Sequence, residues 1–238
     1  MPSVSRIVVI IPAVDEEPSI GKVLAEIPPV VDRVVVVDNG SRDRTAAVAR
    51  EAGAEVVWEP RRGYGQACLA GIAAAGAAEI LAFLDADHSD YPEQLRRVVA
   101  PILAGDADLV IGSRNLGRRT AGAHPWHAVL GTKLCVWLMN ALVGTRATDL
   151  GPFRAIAYPA LRRLGMQDPN YGWTVEMQVK AAQQGIQALE VGVPYRKRIG
   201  KSKVSGTIRG VFLAGVKILY TIFKYAIRRH QAGPNFSP

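Results

Sequence analysis

Ile80-Leu81-Ala82-Phe83-Leu84-Asp85-Ala86-Asp87 is an unbroken apolar run that stops at two carboxylates one residue apart. A short apolar run bounded in this way is the pattern of a strand buried on both faces. Working outward from it, similar runs occupy 7–11, 34–37 and 55–58 upstream and 109–111 downstream. Ala-, Leu- and Glu-rich helical stretches near 17–27, 43–52, 65–77 and 92–104 lie between them. Strands alternating with helices predict an α/β fold, a mostly parallel central sheet covered by helices. The second half is patterned differently. It has helices near 126–142 and 173–185, strand-like 153–157 and 186–191, a basic loop and a long final helix. No repeat, low-complexity tract or linker interrupts the chain, so 1–238 reads as one domain with parts at 1–112, 113–205 and 206–230.

The bulk numbers narrow the function. At 49% hydrophobic and 21% charged, the 238 residues have the composition of a folded globular protein. The net charge of +8 attracts anions: nucleic acid, anionic lipid or phosphorylated substrates. Its basic residues are interleaved with glycines near acidic clusters and lack aromatic stacking platforms, which argues against nucleic acid. Cys68 and Cys135 stand in unrelated contexts, so neither a disulfide framework nor a zinc site is expected and a reducing cytoplasm fits. The first residues run straight into an apolar strand without the pattern of a signal peptide.

In parallel sheets ligands bind beyond the carboxyl ends of the strands, so the residues just past each strand carry the chemistry. The first strand runs into Pro12-Ala13-Val14-Asp15-Glu16-Glu17, the second into Asp38-Asn39-Gly40-Ser41, the fourth into Asp85-Ala86-Asp87. Acidic residues there also cap helices, a role open to Ser41 and Asp43. Asp85 and Asp87 repel each other unless a cation lies between them, and a hard ion such as Mg²⁺ or Mn²⁺, completed by phosphate oxygens, resolves the conflict. Arg61-Arg62-Gly63-Tyr64-Gly65-Gln66 opens a helix after the third strand. It reads either as a phosphate-binding helix start with close backbone approach at its glycines, or as a tight turn with a solvated arginine pair. The absence of G-x-G-x-x-G after the first strand excludes the dinucleotide-binding form of this sheet.

These motifs, taken in order, resemble the family-2 glycosyltransferases of the GT-A (Rossmann-like) fold, and most of all the dolichyl- and polyprenyl-phosphate hexosyltransferases. The likeness continues through Gly112-Ser113-Arg114, Thr148-Asp149-Leu150-Gly151, Tyr171-Gly172-Trp173-Thr174-Val175-Glu176 and Arg198-Ile199-Gly200-Lys201-Ser202-Lys203, and spans 7–207. It implies a nucleotide-sugar half at 1–112 and an acceptor half at 113–205. Pro12, Ala13, Glu16, Asp38 and Gly65 would bind the nucleotide, and Asp85, Ala86 and Asp87 the ribose and the metal–diphosphate, with Asp85 and Asp87 as metal ligands. Arg114, Arg198 and Lys203 would face substrate phosphates. Val14 stands where the family commonly has an aromatic, Asn39 where it has a second Asp. The Q-x-x-R-W motif of processive synthases is absent.

The resemblance implies an inverting, metal-dependent transfer of a hexose from a nucleotide sugar to a polyprenyl or dolichyl phosphate, with UDP-glucose the favoured donor and GDP-mannose the alternative. A lipid phosphate is already ionised near neutral pH, so the site needs cations more than a base. Tyr195-Arg196-Lys197-Arg198-Ile199-Gly200-Lys201-Ser202-Lys203 holds five positive charges in nine residues. A hydroxyl acceptor needs a base, for which Asp149 and Glu176 are candidates. Asp149, Asp87 and Arg198 are thus the candidate catalytic residues. A non-catalytic nucleotide-sugar-binding protein is the reading of another class.

The last helix is amphipathic. Arg209, Lys217, Lys224 and Arg228 fall on one third of its circumference, opposite Ile208, Val211, Phe212, Val216, Ile218, Leu219, Ile222, Phe223 and Ala226. Interrupted by lysines, it cannot span a bilayer. Its apolar side seats on the core, on a second subunit in a homo-oligomer, or peripherally on the cytoplasmic face of a membrane.

Overall fold

The computed structural model describes residues 6–118, 120, 126–200 and 208–231. In chain order they form β1 (Ile7–Ala13), α1 (Glu17–Ala25), β2 (Arg33–Asp38), α2 (Thr45–Glu51), β3 (Glu55–Trp58), α3 (Tyr64–Ala74), β4 (Ile80–Phe83), α4 (Leu95–Leu103) and β5 (Leu109–Ser113). The remaining elements are α5 (Trp126–Val143), β6 (Arg154–Ala157), α6 (Tyr158–Leu164), α7 (Trp173–Gln183), β7 (Ala188–Gly192) and α8 (Ile208–Gln231).

β1 lies inside the sheet, parallel to β2 on one side and β4 on the other. Its alternate residues feed two different cores, as a period of two requires. Ile7, Val9 and Ile11 join α1 residues Ile20 and Val23 and α4 residue Val98 on one face. Val8 and Ile10 join Phe83, Leu161 and Trp173 on the other. Truncating such a residue, Ile10→Ala for instance, costs about 2–5 kcal/mol.

The strand order is β3-β2-β1-β4-β6-β5-β7. β6 enters between β4 and β5 and runs antiparallel to both, so the sheet is mixed but mostly parallel. The short apolar run of β6 is indistinguishable in composition from a parallel strand, which is why direction could not be read from it. α6 is an element that sequence patterning does not signal. Pro159 starts it in its first turn, and Gly165 ends it in the left-handed conformation at φ 55°.

A third apolar cluster joins α5, α7 and α8 through Met139, Val175, Val179, Ile222 and Tyr225. Ile218, Leu219 and Ala226 of α8 pack against it, so part of the helix's apolar face is seated on the core. Val216, Tyr220, Phe223 and Ile227 remain exposed. Lys217 does not join a solvated basic face as the periodicity implies. Its Nζ lies 2.9 Å from the carboxylate of Asp168. No helix among the described residues is long and apolar enough to cross a membrane.

Candidate active site

The sheet changes its direction of winding between β1 and β4, and such a switch point leaves a crevice beyond the carboxyl ends of its strands. A pocket of about 520 Å³ occupies it, lined by Pro12, Ala13, Val14 and Glu16 after β1, Asp85, Ala86 and Asp87 after β4, and Arg114 after β5. Tyr195 and Arg198 of the basic segment, Asn170 and Tyr171 of the loop before α7, and Asn39 with the 62–64 turn also line it.

Asp87 is buried. One of its oxygens accepts the Ser89 amide at 2.9 Å and the Ser89 hydroxyl at 2.5 Å. The other lies 3.1 Å from a guanidinium nitrogen of Arg198. The second Arg198 nitrogen is 3.3 Å from Glu16, whose remaining oxygen takes the Ser19 hydroxyl at 2.9 Å. Arg198 thus bridges the β1 and β4 loops across the pocket. Its segment is held there by backbone hydrogen bonds, the Ile199 amide to the Asp87 carbonyl at 2.9 Å and the Arg196 amide to the Ser89 carbonyl at 3.0 Å. Arg196 reinforces the seam through Glu26 at 2.6 Å and over the ring of Tyr91 at 4.3 Å.

Asp90 closes the same loop from below. It is 1% exposed, and no hydrogen bond of normal geometry reaches either carboxylate oxygen. Burial, then the charge of Asp87, pushes its carboxyl up to about 7. Burial, Asp87 and Asp90 likewise push Asp85 well above the usual carboxylate range, with Arg198 and Arg114 pulling it back. Asp87 has partners on both oxygens, but three carboxylates crowded in one loop, with Asp90 short of hydrogen bonds, repel one another, and a cation would relieve that repulsion.

Arg114 faces the pocket from the opposite side. Its backbone amide and Nε donate to one oxygen of Asp149 at 2.9 and 2.8 Å, and a terminal nitrogen donates to the other at 2.7 Å. Asp149 is itself buried and does not line the pocket. Burial pushes its carboxyl up, but the Arg114 guanidinium outweighs that and holds it below the usual range. A carboxylate so engaged is a weak base and a good orienter. Glu176, the other candidate base, is wholly buried and takes the Lys180 ammonium at 2.7 Å and the Tyr225 hydroxyl at 2.7 Å.

Two further sequence-predicted residues stand back from the pocket. Asp38 accepts the Ser41 amide at 2.8 Å, and its neighbour Asn39 reaches the pocket instead. Asn39 pins the Arg61–Gly63 turn by donating to the Glu59 and Arg61 carbonyls at 2.8 and 2.7 Å and accepting the Gly63 amide at 2.8 Å. At Gly65 a Cβ would lie 2.0 Å from the Asp168 carbonyl, so the close approach there is to protein backbone. Lys203 lies outside the described residues. Sequence reasoning missed Asp90, Asn170, Tyr171 and Tyr195 as site residues. The two tyrosines open motifs it singled out without being assigned to the site, whereas an inward Asp90 and a turn-capping one look alike in sequence.

The residues fit a hard divalent ion. Asp85 and Asp87 offer oxygen donors at a buried edge, and among the described residues no three His, Cys, Asp or Glu side chains form a complete metal cage. That is the environment of an Mg²⁺- or Mn²⁺-type ion that draws the rest of its shell from substrate phosphate.

The profile of the family described as Glycosyl transferase family 2 matches residues 8–146. The chain belongs to that family. An uncharacterized glycosyltransferase of Mycobacterium tuberculosis is 43% identical over 210 residues, covering 87% of this chain and 94% of the relative. A polyprenol monophosphomannose synthase of Mycolicibacterium smegmatis is 31% identical over 223 residues, covering 85% of this chain and 82% of its own. Among solved structures, glucosyl-3-phosphoglycerate synthase of Mycobacterium tuberculosis, in complex with Mn²⁺, UDP and phosphoglyceric acid, superposes with a TM-score of 0.76 at 24% identity, over 93% of this chain and 78% of that one. The glycosyltransferase therefore has the fold of that enzyme.

Proposed function

We propose that this glycosyltransferase moves a hexose from a nucleotide sugar to a polyprenyl phosphate, with inversion at the anomeric carbon. One observation carries the reading: Arg114 and Arg198 line the same pocket as Asp85 and Asp87. Arg62 lines it as well, and three guanidiniums at one pocket suit phosphate-bearing substrates, since Arg forks match phosphate oxygens well. The acidic residues on the wall are Glu16, Asp85 and Asp87. Glu16 is engaged by Ser19 and Arg198, and the aspartates are placed to hold a metal. An acceptor that arrives already ionised needs no base, whereas a hydroxyl does.

In this reading Asp85 and Asp87 would hold the Mg²⁺ or Mn²⁺, which would supply charge stabilisation for a departing nucleoside diphosphate. Pro12, Ala13 and Glu16 form the wall against which the nucleoside lies. Arg114, fixed in orientation by Asp149, and Arg198 bring two anions together and neutralise charge that develops as the anomeric C–O bond breaks. The phosphate oxygen forms the new bond as the old one breaks, and the nucleoside diphosphate leaves with the electron pair. UDP-glucose is the first donor to test and GDP-mannose the second. The named mannose synthase supports a hexosyl donor and a polyprenyl acceptor, and the UDP-bound neighbour supports the fold.

The reaction belongs at the cytoplasmic surface of a membrane. Leu130, Leu134 and Trp137 of α5 and Val216, Tyr220, Phe223 and Ile227 of α8 are exposed, on helices that pack together. Apolar rows accompanied by Lys133 and Lys224 on a chain of net charge +8 suit an anionic bilayer, where the second substrate resides.

The test is a panel of nucleotide sugars incubated with Mn²⁺ or Mg²⁺, with and without a polyprenyl phosphate. Divalent-dependent release of nucleoside diphosphate together with hexosyl-phosphoryl-polyprenol is expected. Transfer only to hydroxyl acceptors, or no transfer with any donor, overturns the reading. Flotation with anionic liposomes tests the membrane placement, and failure to float rejects it.

A further inference from the structure

The side of α8 that faces the protein carries a polar row, Lys217, Thr221 and Tyr225, one turn apart; the first two meet the segment that closes the pocket directly, and Tyr225 reaches it through Glu176. Lys217 Nζ lies 2.9 Å from one oxygen of Asp168, whose other oxygen accepts the backbone amide of Asn170 at 2.8 Å. Thr221 is 1% exposed and sits so close to Gly172 that a Cβ there would lie 2.4 Å from its hydroxyl oxygen. Tyr225 donates to Glu176 at 2.7 Å. Glu176 in turn accepts the amides of Gln167 at 3.0 Å and Asp168 at 2.6 Å.

From the opposite side the same segment is fixed by α3. The Gln66 amide donates to the Pro169 carbonyl at 2.8 Å, and Cβ atoms at Gly63 and Gly65 would lie within 2.1 and 2.0 Å of the Pro169 and Asp168 carbonyls. Residues 167–172 are irregular backbone clamped between two helices, and Asn170 and Tyr171 at its tip line the pocket. Irregular backbone keeps one conformation only where its surroundings over-determine it. Here α3 and the polar row of α8 do so.

We infer that Lys217, with Tyr225 behind it, is a positioning residue for the donor pocket: α8 sets the loop that carries Asn170 and Tyr171, and so sets nucleotide affinity from outside the pocket. The inference rests on the reading of this pocket as the donor site. The path is short and explicit. Lys217 holds Asp168, Asp168 holds the Asn170 amide, and Asn170 reaches the pocket wall. The ion pair is one-third exposed at the lysine, with a side-chain exposure of 33%, so its loss bears on loop placement more than on global stability.

The experiment is titration calorimetry of the full chain with UDP and with GDP, each in Mn²⁺, for wild type, Lys217→Met, Lys217→Arg, Tyr225→Phe and Phe223→Ser. Lys217→Met is expected to bind roughly tenfold more weakly, the scale of losses from residues that hold a ligand group in place. Lys217→Arg restores binding because the pair is re-formed. Phe223→Ser, on the exposed row, binds as wild type does. In turnover, Lys217→Met raises the donor KM and leaves kcat nearly unchanged. Should Lys217→Met unfold, Tyr225→Phe, which removes one hydroxyl, carries the same expectation at smaller size. Wild-type affinity in both Lys217→Met and Tyr225→Phe, or an Arg variant as weak as the Met one, overturns the inference. Wild type that binds neither nucleotide overturns the donor-site reading instead.

Discussion

Two groups of carboxylates in one molecule, all buried but the half-buried Asp85, live under opposite conditions. Asp149 and Glu176 are saturated with partners, Arg114 for the first and Lys180, Tyr225 and two backbone amides for the second. Asp85, Asp87 and Asp90 crowd one loop, with Asp90 short of hydrogen bonds and Asp87 sharing Arg198 with Glu16. Paired carboxylates are scaffold, because folding already supplies what their charge requires. Like charges crowded into one loop are candidates for chemistry, because a bound cation would relieve their repulsion.

The contrast is broken most directly at Asp87. Asp87→Ala should lower turnover about a hundred- to thousandfold, the scale of losing one group that stabilises transition-state charge, while its thermal midpoint stays at or above that of wild type. Calorimetry with and without chelator checks the cause, since nucleotide affinity should become indifferent to the divalent ion. On the scaffold side the expectation inverts. Asp149→Ala leaves the Arg114 guanidinium buried without its partner and should cost about 3–5 kcal/mol of stability in urea unfolding. Asp149→Asn keeps the shape and separates roles. A modest loss of turnover agrees with an orienter of Arg114, and near-complete loss with binding intact would instead make Asp149 the base for a hydroxyl acceptor.

The pH response sharpens the comparison further. Burial raises the Glu176 carboxyl, but hydrogen bonds from Lys180 and Tyr225 outweigh it and leave it below the ordinary 4.5. A depressed carboxyl stabilises the fold above the unfolded value and loses that contribution as pH falls through the folded one. Thermal melts should therefore show Glu176→Gln less stable than wild type at neutral pH, with the gap closing as pH drops below about 4. The smallest effect belongs to Asp90→Asn. Removing one of three crowded charges should raise the thermal midpoint by a few degrees, the response to about 1 kcal/mol, and a drop of that size would show that Asp90 is paired in solution.

Much of this was legible in the sequence because it is local. The apolar run ending at Asp85 fixes a buried strand and a carboxylate pair at its end, and the alternation around it fixes the sheet. Pro12, Ala13, Glu16, Asp85, Ala86 and Asp87 line the pocket for that reason, while Arg114 and Arg198 were reached only through the family resemblance. What escaped is non-local. The antiparallel direction of β6 depends on strands far away in sequence. The partner of Asp149 is 35 residues distant, so one sequence cannot distinguish a base from an orienter. Lys217 shows the same limit, since helical periodicity ranks its side by composition, yet Asp168 draws it inward.

Arg198, spanning Glu16 and Asp87, gives the resting protein its own internal counterion. On the proposed reading, loading the site would be an exchange, in which the guanidinium would release Asp87 to a divalent ion. A phosphate-bearing substrate offers the released arginine a new anion, so ion and substrate should each strengthen the hold on the other. Metal titrated alone should bind weakly to such a protein, and the same titration repeated over saturating nucleotide should reveal a far tighter site.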